Sequence, residues 1–125
     1  MTAKRDTRQR KAIRKAFRTL GHPLSPQEVL EAARADVEGL GIATVYRNLR
    51  TLQDDGWLEP VELPGEPARY EVAGKEHHHH FHCRSCDRVY EVEGCPGNLR
   101  DVTPKGFELE DHEFVLYGRC DACAA

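Results

Sequence analysis

In the first half of the chain, apolar positions recur every three or four residues. Ile13, Ala16, Phe17 and Leu20 repeat at that spacing, with Arg8, Arg10, Lys11, Arg14, Lys15 and Arg18 spread around the remainder. This predicts a helix from Asp6 to Leu20, capped by Asp6 or Thr7 and ended by Gly21 with Pro23 close behind. Ser25-Pro26-Gln27-Glu28 opens a second helix. Ser25 is its N-cap, proline takes the first helical position, and Glu28 completes a capping box. Val29, Leu30 and Ala33 supply its buried side, and it runs out near Asp36. A third helix is expected from Ile42 to Asp55, with Ile42, Val45, Leu49 and Leu52 on one face. Ala43, Arg47 and Arg50 fall opposite, and Tyr46 lies on the border.

Beyond Gly56 the period shortens. Trp57–Leu63 and Ala68–Val72 read as extended runs joined by Pro64-Gly65-Glu66-Pro67, which is turn chemistry. Three helices followed by a β-hairpin is the winged helix-turn-helix arrangement, with Ile42–Asp55 as recognition helix. A linker over 73–76 leads into a second region. There Phe81–Cys83, Arg88–Glu93 and Glu113–Arg119 read as strands, and Gly94–Asp101 as one short helix. The expected class is α+β: a winged helix-turn-helix domain over 1–73, then a small α+β module over 74–125.

The net charge of −3 conceals a division. Residues 1–56 hold 11 Lys and Arg against 7 Asp and Glu, whereas residues 57–125 hold 7 against 14. A basic front joined to an acidic, His- and Cys-rich back suggests an anion-binding module coupled to a cation-binding one. The chain starts directly on charged residues and has no apolar run of membrane length, so a cytoplasmic protein is expected. Its five cysteines, four of them in Cys-x-x-Cys pairs, point to a reducing compartment with thiolates on metal.

The chemistry concentrates in His77–His78–His79–His80–Phe81–His82–Cys83–Arg84–Ser85–Cys86. With Cys120 and Cys123, the pair Cys83 and Cys86 can fill the four corners of a closed tetrahedral zinc site. Along a strand, alternate residues share a face, so His78 and His80 point one way while His77 and His79 point the other. One run can therefore serve two sites. In the front half, arginine on a helix face reaches guanine edges or phosphates, and a tyrosine ring packs on a thymine methyl. The cations of the first helix can hold backbone phosphates.

Gly41-Ile42-Ala43-Thr44-Val45-Tyr46-Arg47-Asn48-Leu49, Arg69-Tyr70-Glu71, the histidine run into Cys83-x-x-Cys86, and Leu116-Tyr117-Gly118-Arg119-Cys120-x-x-Cys123 together resemble the ferric uptake regulator family of metal-sensing repressors. The resemblance spans nearly the whole chain. It implies a homodimer that binds a palindromic double-stranded DNA operator once a regulatory divalent metal is loaded. It implies a small zinc-stabilised α/β dimerisation domain over 74–125, a base-contacting Tyr46 and structural Zn(II) on Cys83, Cys86, Cys120 and Cys123. Arg8, Arg10, Arg14, Thr44, Arg47 and Arg50 are further candidate DNA contacts read from the two helices themselves. It maps a hinge sensor site onto Glu71, His78, His80 and Glu91 with one more N-terminal ligand, and a second site onto His77, His79 and His112 plus an acidic residue. His82 has no role in the pattern and is expected on the surface.

The chain departs from the pattern in three places. The N-terminal ligand position is Pro23, with His22 one step away. The expected acid falls near Asn98, with the unpaired Cys95 three residues earlier, either a thiolate ligand or a small buried residue, and the segment from Cys86 to His112 is short. A two-His, two-carboxylate site suits Zn(II), Fe(II) or Mn(II). Zinc-sensing members often carry a cysteine shortly before the histidines, and the neighbours of Ala73 offer none, which favours iron or manganese. His79 and Cys95 favour zinc. Two alternatives stand beside the sensor: a zinc-stabilised winged helix that binds DNA constitutively, and a His/carboxylate metallohydrolase. The second lacks a nucleophile or base beside the ligands and leaves the basic helix unexplained.

Overall fold

A computed structural model describes residues 7–125 of the chain. These divide into two compact units, with the boundary between Lys75 and Glu76. No helix among the described residues is long and apolar enough to cross a membrane.

The first unit holds α1 (Arg8–Leu20), α2 (Pro26–Ala33), α3 (Ile42–Asp54), β1 (Leu58–Val61) and β2 (Arg69–Val72). Thr7 caps α1 by accepting the Arg10 N–H at 3.1 Å, while Asp6, the other candidate cap, lies outside the described residues. Gly21 ends the helix in the left-handed region at φ 68°, where a Cβ would be strained. The capping box of α2 forms in both directions: Glu28 N–H donates to Ser25 Oγ, and Ser25 N–H donates to Glu28 Oε1. The helix ends at Ala33, short of Asp36.

Ile13, Phe17, Leu24, Val29, Leu30, Val45, Leu49, Leu52 and Leu58 pack into one core. Trp57 meets Phe17 edge-on at 6.2 Å. Ile42 departs from the expected apolar face. It is the first residue of α3 and stays exposed, because the helix begins beyond the edge of the core. Asn48 is buried there instead, accepting from Arg10 Nε at 3.1 Å and donating to Thr44 O at 2.9 Å. That bond ties α1 to α3 and satisfies a polar group that would otherwise be costly to bury. β1 and β2 pair antiparallel from Leu58↔Val72 to Val61↔Arg69. Leu24 exchanges both backbone hydrogen bonds with Tyr70 at 2.9 Å, anchoring the wing to the helices.

The second unit is a three-stranded sheet of order β4-β3-β5, built from β3 (His79–Cys83), β4 (Val89–Val92) and β5 (Val115–Gly118). β3 is central, antiparallel to β4 and parallel to β5. A Cβ on Gly118 would lie 3.2 Å from Phe81 Cζ, so glycine lets β5 approach. The expected helix over 94–101 is a 3-10 turn at Leu99–Val102, capped by the Asn98 side chain. The terminal Cys-x-x-Cys winds into a short helix, α4 (Asp121–Ala124). Among the described residues, the buried apolar side chains of this unit are Cys83, Val89 and Cys120. So thin a core requires reinforcement from a metal or a partner subunit.

Ser25→Ala is expected to cost about 1 kcal/mol by removing a cap, and Leu49→Ala about 2–5 kcal/mol by opening a cavity. Urea titration followed by the fluorescence of Trp57, the single tryptophan, measures both in the first unit.

Candidate metal centres and nucleic-acid interface

β3 runs into a tight turn that places the first cysteine pair. Cys83 N–H donates to Arg88 O, Asp87 N–H donates to Cys83 O, and Asp87 takes a left-handed φ of 66° to close the turn. Arg84 N–H bonds Gly118 O at 2.7 Å, which aligns the end of β5 so that Cys120 and Cys123 follow beside it. All four sulfurs lie within 4.8 Å of one another. The backbone N–H groups of Cys86 and Cys120 point at Cys83 Sγ from 3.4 and 3.3 Å.

The electrostatics of this cluster are those of a cation site. The backbone N–H of Cys86, with that of Cys120 in support, lowers the Cys83 thiol to about 6 against the opposition of burial. The Tyr90 hydroxyl donates to Cys120, which lowers that thiol and pushes the phenol up to about 12. Cys123, donating to Cys120 and desolvated, goes up to about 12. Four sulfurs at this separation, with amide donors already aimed at one of them, fit structural Zn(II).

The histidines sort onto two sides, although the hydrogen-bonded strand begins only at His79. The His78 and His80 rings meet at 4.9 Å, and Glu91 lies directly across from His80 on β4. Cross-strand neighbours share a face, so three of the predicted hinge ligands lie on one face of the second unit's sheet. Glu71 stands on β2, opposite Glu59. His22 Nδ1 lies 3.0 Å from Pro23 O.

On the other side His77, His79 and His112 converge, and Cys95 is with them. His77 Nε2 is 3.1 Å from His112 Nε2, and the Cys95 sulfur is 3.2 Å from His112 Nε2 and 3.3 Å from His79 Nε2. Burial first, and then the neighbouring His77 and His112, hold His79 below its ordinary pKa, so it stays a neutral potential ligand. Its Nδ1 accepts a long 3.3 Å bond from Phe114 N–H. Ligation through Nε2 would shift the ring proton to Nδ1 and give up that bond. Asn98 does not join this group; its side chain accepts Arg100 N–H at 3.0 Å. His82, expected on the surface, is buried, with Nε2 2.6 Å from Asp87 Oδ1. It lies on β3 and braces the turn carrying Cys83 and Cys86.

On α3, Tyr46 is 55% exposed, and Arg47 and Arg50 are exposed beside it. Tyr46, Arg47, Arg50, Gln53 and Tyr70 of the wing line one groove. Thr44 accepts from Arg47 at 2.9 Å, which steers that guanidinium along the helix. The cations of α1 are more engaged than their sequence suggests. Arg8 bonds Asp36 O at 3.2 Å, Arg10 holds Asn48, and Arg14 is half-buried. Lys15 pairs with Asp36 at 3.2 Å, and Arg18 lies over Trp57. Sequence reasoning missed Asn48; its signal was a polar residue four positions after Thr44 on an apolar helix face.

Comparison with known proteins agrees with this geometry. Residues 2–117 match the family model described as the ferric uptake regulator family. The chain is 30% identical over 122 residues to the ferric uptake regulation protein of Campylobacter jejuni, covering 94% of this chain and 78% of that one. It is 32% identical over 124 residues to the zinc uptake regulation protein of Mycobacterium tuberculosis, covering 95% and 94%. The solved structure of the Helicobacter pylori ferric uptake regulator, described as revealing three functional metal-binding sites, superposes with a TM-score of 0.70. It is 25% identical and covers 97% of this chain and 83% of that one.

Cys83→Ser or Cys120→Ser is expected to remove one tightly held zinc per chain and unfold the second unit. Metal analysis would show the loss. Circular dichroism would show the unfolding, while the Trp57 transition of the first unit persists.

Proposed function

The chain belongs to the ferric uptake regulator family, and on that premise we propose that it grips palindromic double-stranded DNA as a homodimer when its regulatory sites hold metal. The observation that carries this reading is the sorting of the histidines along β3: His78 and His80 on the side of Glu91, His77 and His79 on the side of His112.

The hinge site consists of His78, His80 and Glu91 with Glu71 from the wing, as the family resemblance implies. Glu71 is four residues from the end of the first unit, and His78 is two residues into the second. A divalent ion shared by these residues supplies the charge and fixed geometry that restrain the linker over 73–76. Restraining it selects one spacing of the two recognition helices across a dimer, which must match half-sites about one helical turn or a multiple apart. Differential metal affinity for the DNA-competent arrangement is then the whole switch. Zn(II), Fe(II) and Mn(II) all suit such a site by donor type. The named relatives include regulators of iron and of zinc uptake.

Tyr46, Arg47 and Arg50 read or grip DNA from the exposed side of α3. Thr44 positions Arg47, and Arg10 works through Asn48 by fixing α1 against α3. Arg8 and Arg14 stand on the same helix as phosphate contacts. The dimer reading draws on the second unit, which leaves Val102, Phe107, Leu109, Leu116 and Tyr117 exposed, Phe107 at 70%. Apolar surface on that scale, beside so thin a core, suits a second copy. Free thiols and a regulatory role on DNA suit the cytoplasm.

Selection of bound duplexes from a random-sequence pool, with and without added Mn(II), Fe(II) or Zn(II), tests the reading. It should return a palindrome only with metal. Glu71→Ala and His80→Ala are expected to abolish metal-dependent binding while circular dichroism stays unchanged. Arg50→Ala should flatten the salt dependence of binding by about one charge if it meets a phosphate. Equal binding with and without chelator would turn the assignment to a constitutive DNA-binding protein.

A further inference from the structure

The second site contains a donor that the family resemblance does not supply. Where that resemblance calls for an acidic side chain, this chain has Asn98, and Asn98 is spent on capping the 3-10 turn. Three residues earlier, Cys95 turns into the cluster. We propose that Cys95 is a metal ligand that completes, with His77, His79 and His112, a site of three nitrogens and one thiolate that takes Zn(II) in preference to Fe(II) or Mn(II). The proposal rests on the second site named above and gives it a chemical identity.

The distances support it. A tetrahedral zinc with Zn–N near 2.0–2.1 Å and Zn–S near 2.3 Å sets its ligand atoms roughly 3.3–3.6 Å apart. The contacts here are 3.1 Å between His77 and His112 Nε2, 3.2 Å from Cys95 to His112, and 3.3 Å from Cys95 to His79. These three contacts fall within a few tenths of an ångström of that separation, and all four donor atoms lie within 4.8 Å of one another. The four donors come from three separate parts of the second unit: the start of β3, the loop after β4, and the approach to β5. Such convergence is what a closed metal site needs and what a casual surface cluster lacks.

The donor set also decides selectivity. Exchanging a carboxylate for a thiolate removes the hard ligand that suits manganese and adds a soft one that suits zinc. The ion also ties the loop after β4 to β3 and to the approach to β5, in a unit with very little aliphatic core. The hinge site keeps its nitrogen and carboxylate donors, so the two sites on opposite sides of β3 differ in the metal they favour.

The test uses the full chain, dialysed against chelator until one zinc per chain remains, then titrated with Co(II). Thiolate-to-cobalt charge transfer absorbs in the near ultraviolet, and imidazole and carboxylate ligands do not give that band. The wild-type chain should develop the band, and Cys95→Ser should lack it. Competition titration should show Cys95→Ser binding zinc at this site more weakly by at least the roughly tenfold to hundredfold that loss of a mere supporting residue costs. Cys95→Asp should restore binding without the band and admit Mn(II). The same spectrum and zinc affinity in wild type and Cys95→Ser would overturn the proposal. His112→Ala separates the two levels of failure. If it lowers the metal count while Cys95→Ser does not, the site stands and the thiolate assignment falls. If neither lowers the count, the second site falls as well.

Discussion

The second unit depends on the convergence of four sulfurs and on the cation that such a donor set holds. Cys83, Cys86, Cys120 and Cys123 are held within 4.8 Å by a β-turn on one side and a short helix on the other. Amide N–H groups and the Tyr90 hydroxyl stabilise thiolates there, while Cys123 is forced to keep its proton. A closed tetrahedral cation would take the place of the proton that Cys123 shares with Cys120. It also supplies cohesion that Val89 and two buried cysteines cannot provide alone.

What the cluster fixes is the register of β3. Cys83 is the last residue of that strand, pinned to Arg88 O and followed by Arg84 on Gly118 O. A slip of one residue would exchange the faces of every side chain before it. His80 would then leave Glu91, and His79 would leave His112. The four-cysteine site therefore determines which histidines share a face. His82 contributes from the same strand by bonding Asp87 within the turn.

Most of the first unit was legible because its signals are local. Thr7, the Ser25–Glu28 box and Gly21 mark helix ends within a few residues, and the apolar period marks the buried face. Ile42 was misread because period alone does not say where along a helix the core stops. Asn48 was missed because its partner, Arg10, is 38 residues away. The four cysteines and the histidine alternation were also legible, since Cys-x-x-Cys spacing and strand periodicity carry their meaning in the chain. Cys95 was legible only as a choice between a thiolate ligand and a small buried residue, and the structure leaves it exposed beside the histidines. It reaches His79 and His112 across 16 and 17 residues through an irregular loop, and no local pattern encodes that approach. The short helix α4 was hidden for a related reason: its cysteines read as ligands before they read as a helical turn.

Native mass spectrometry of the chain under saturating zinc, followed by dialysis against chelator, tests most directly whether one strand organises three sites. The account predicts three ions per chain when loaded and one, held by the cysteines, after dialysis. A loaded chain that never exceeds two ions, or a chelated one that keeps its fold with none, would contradict it.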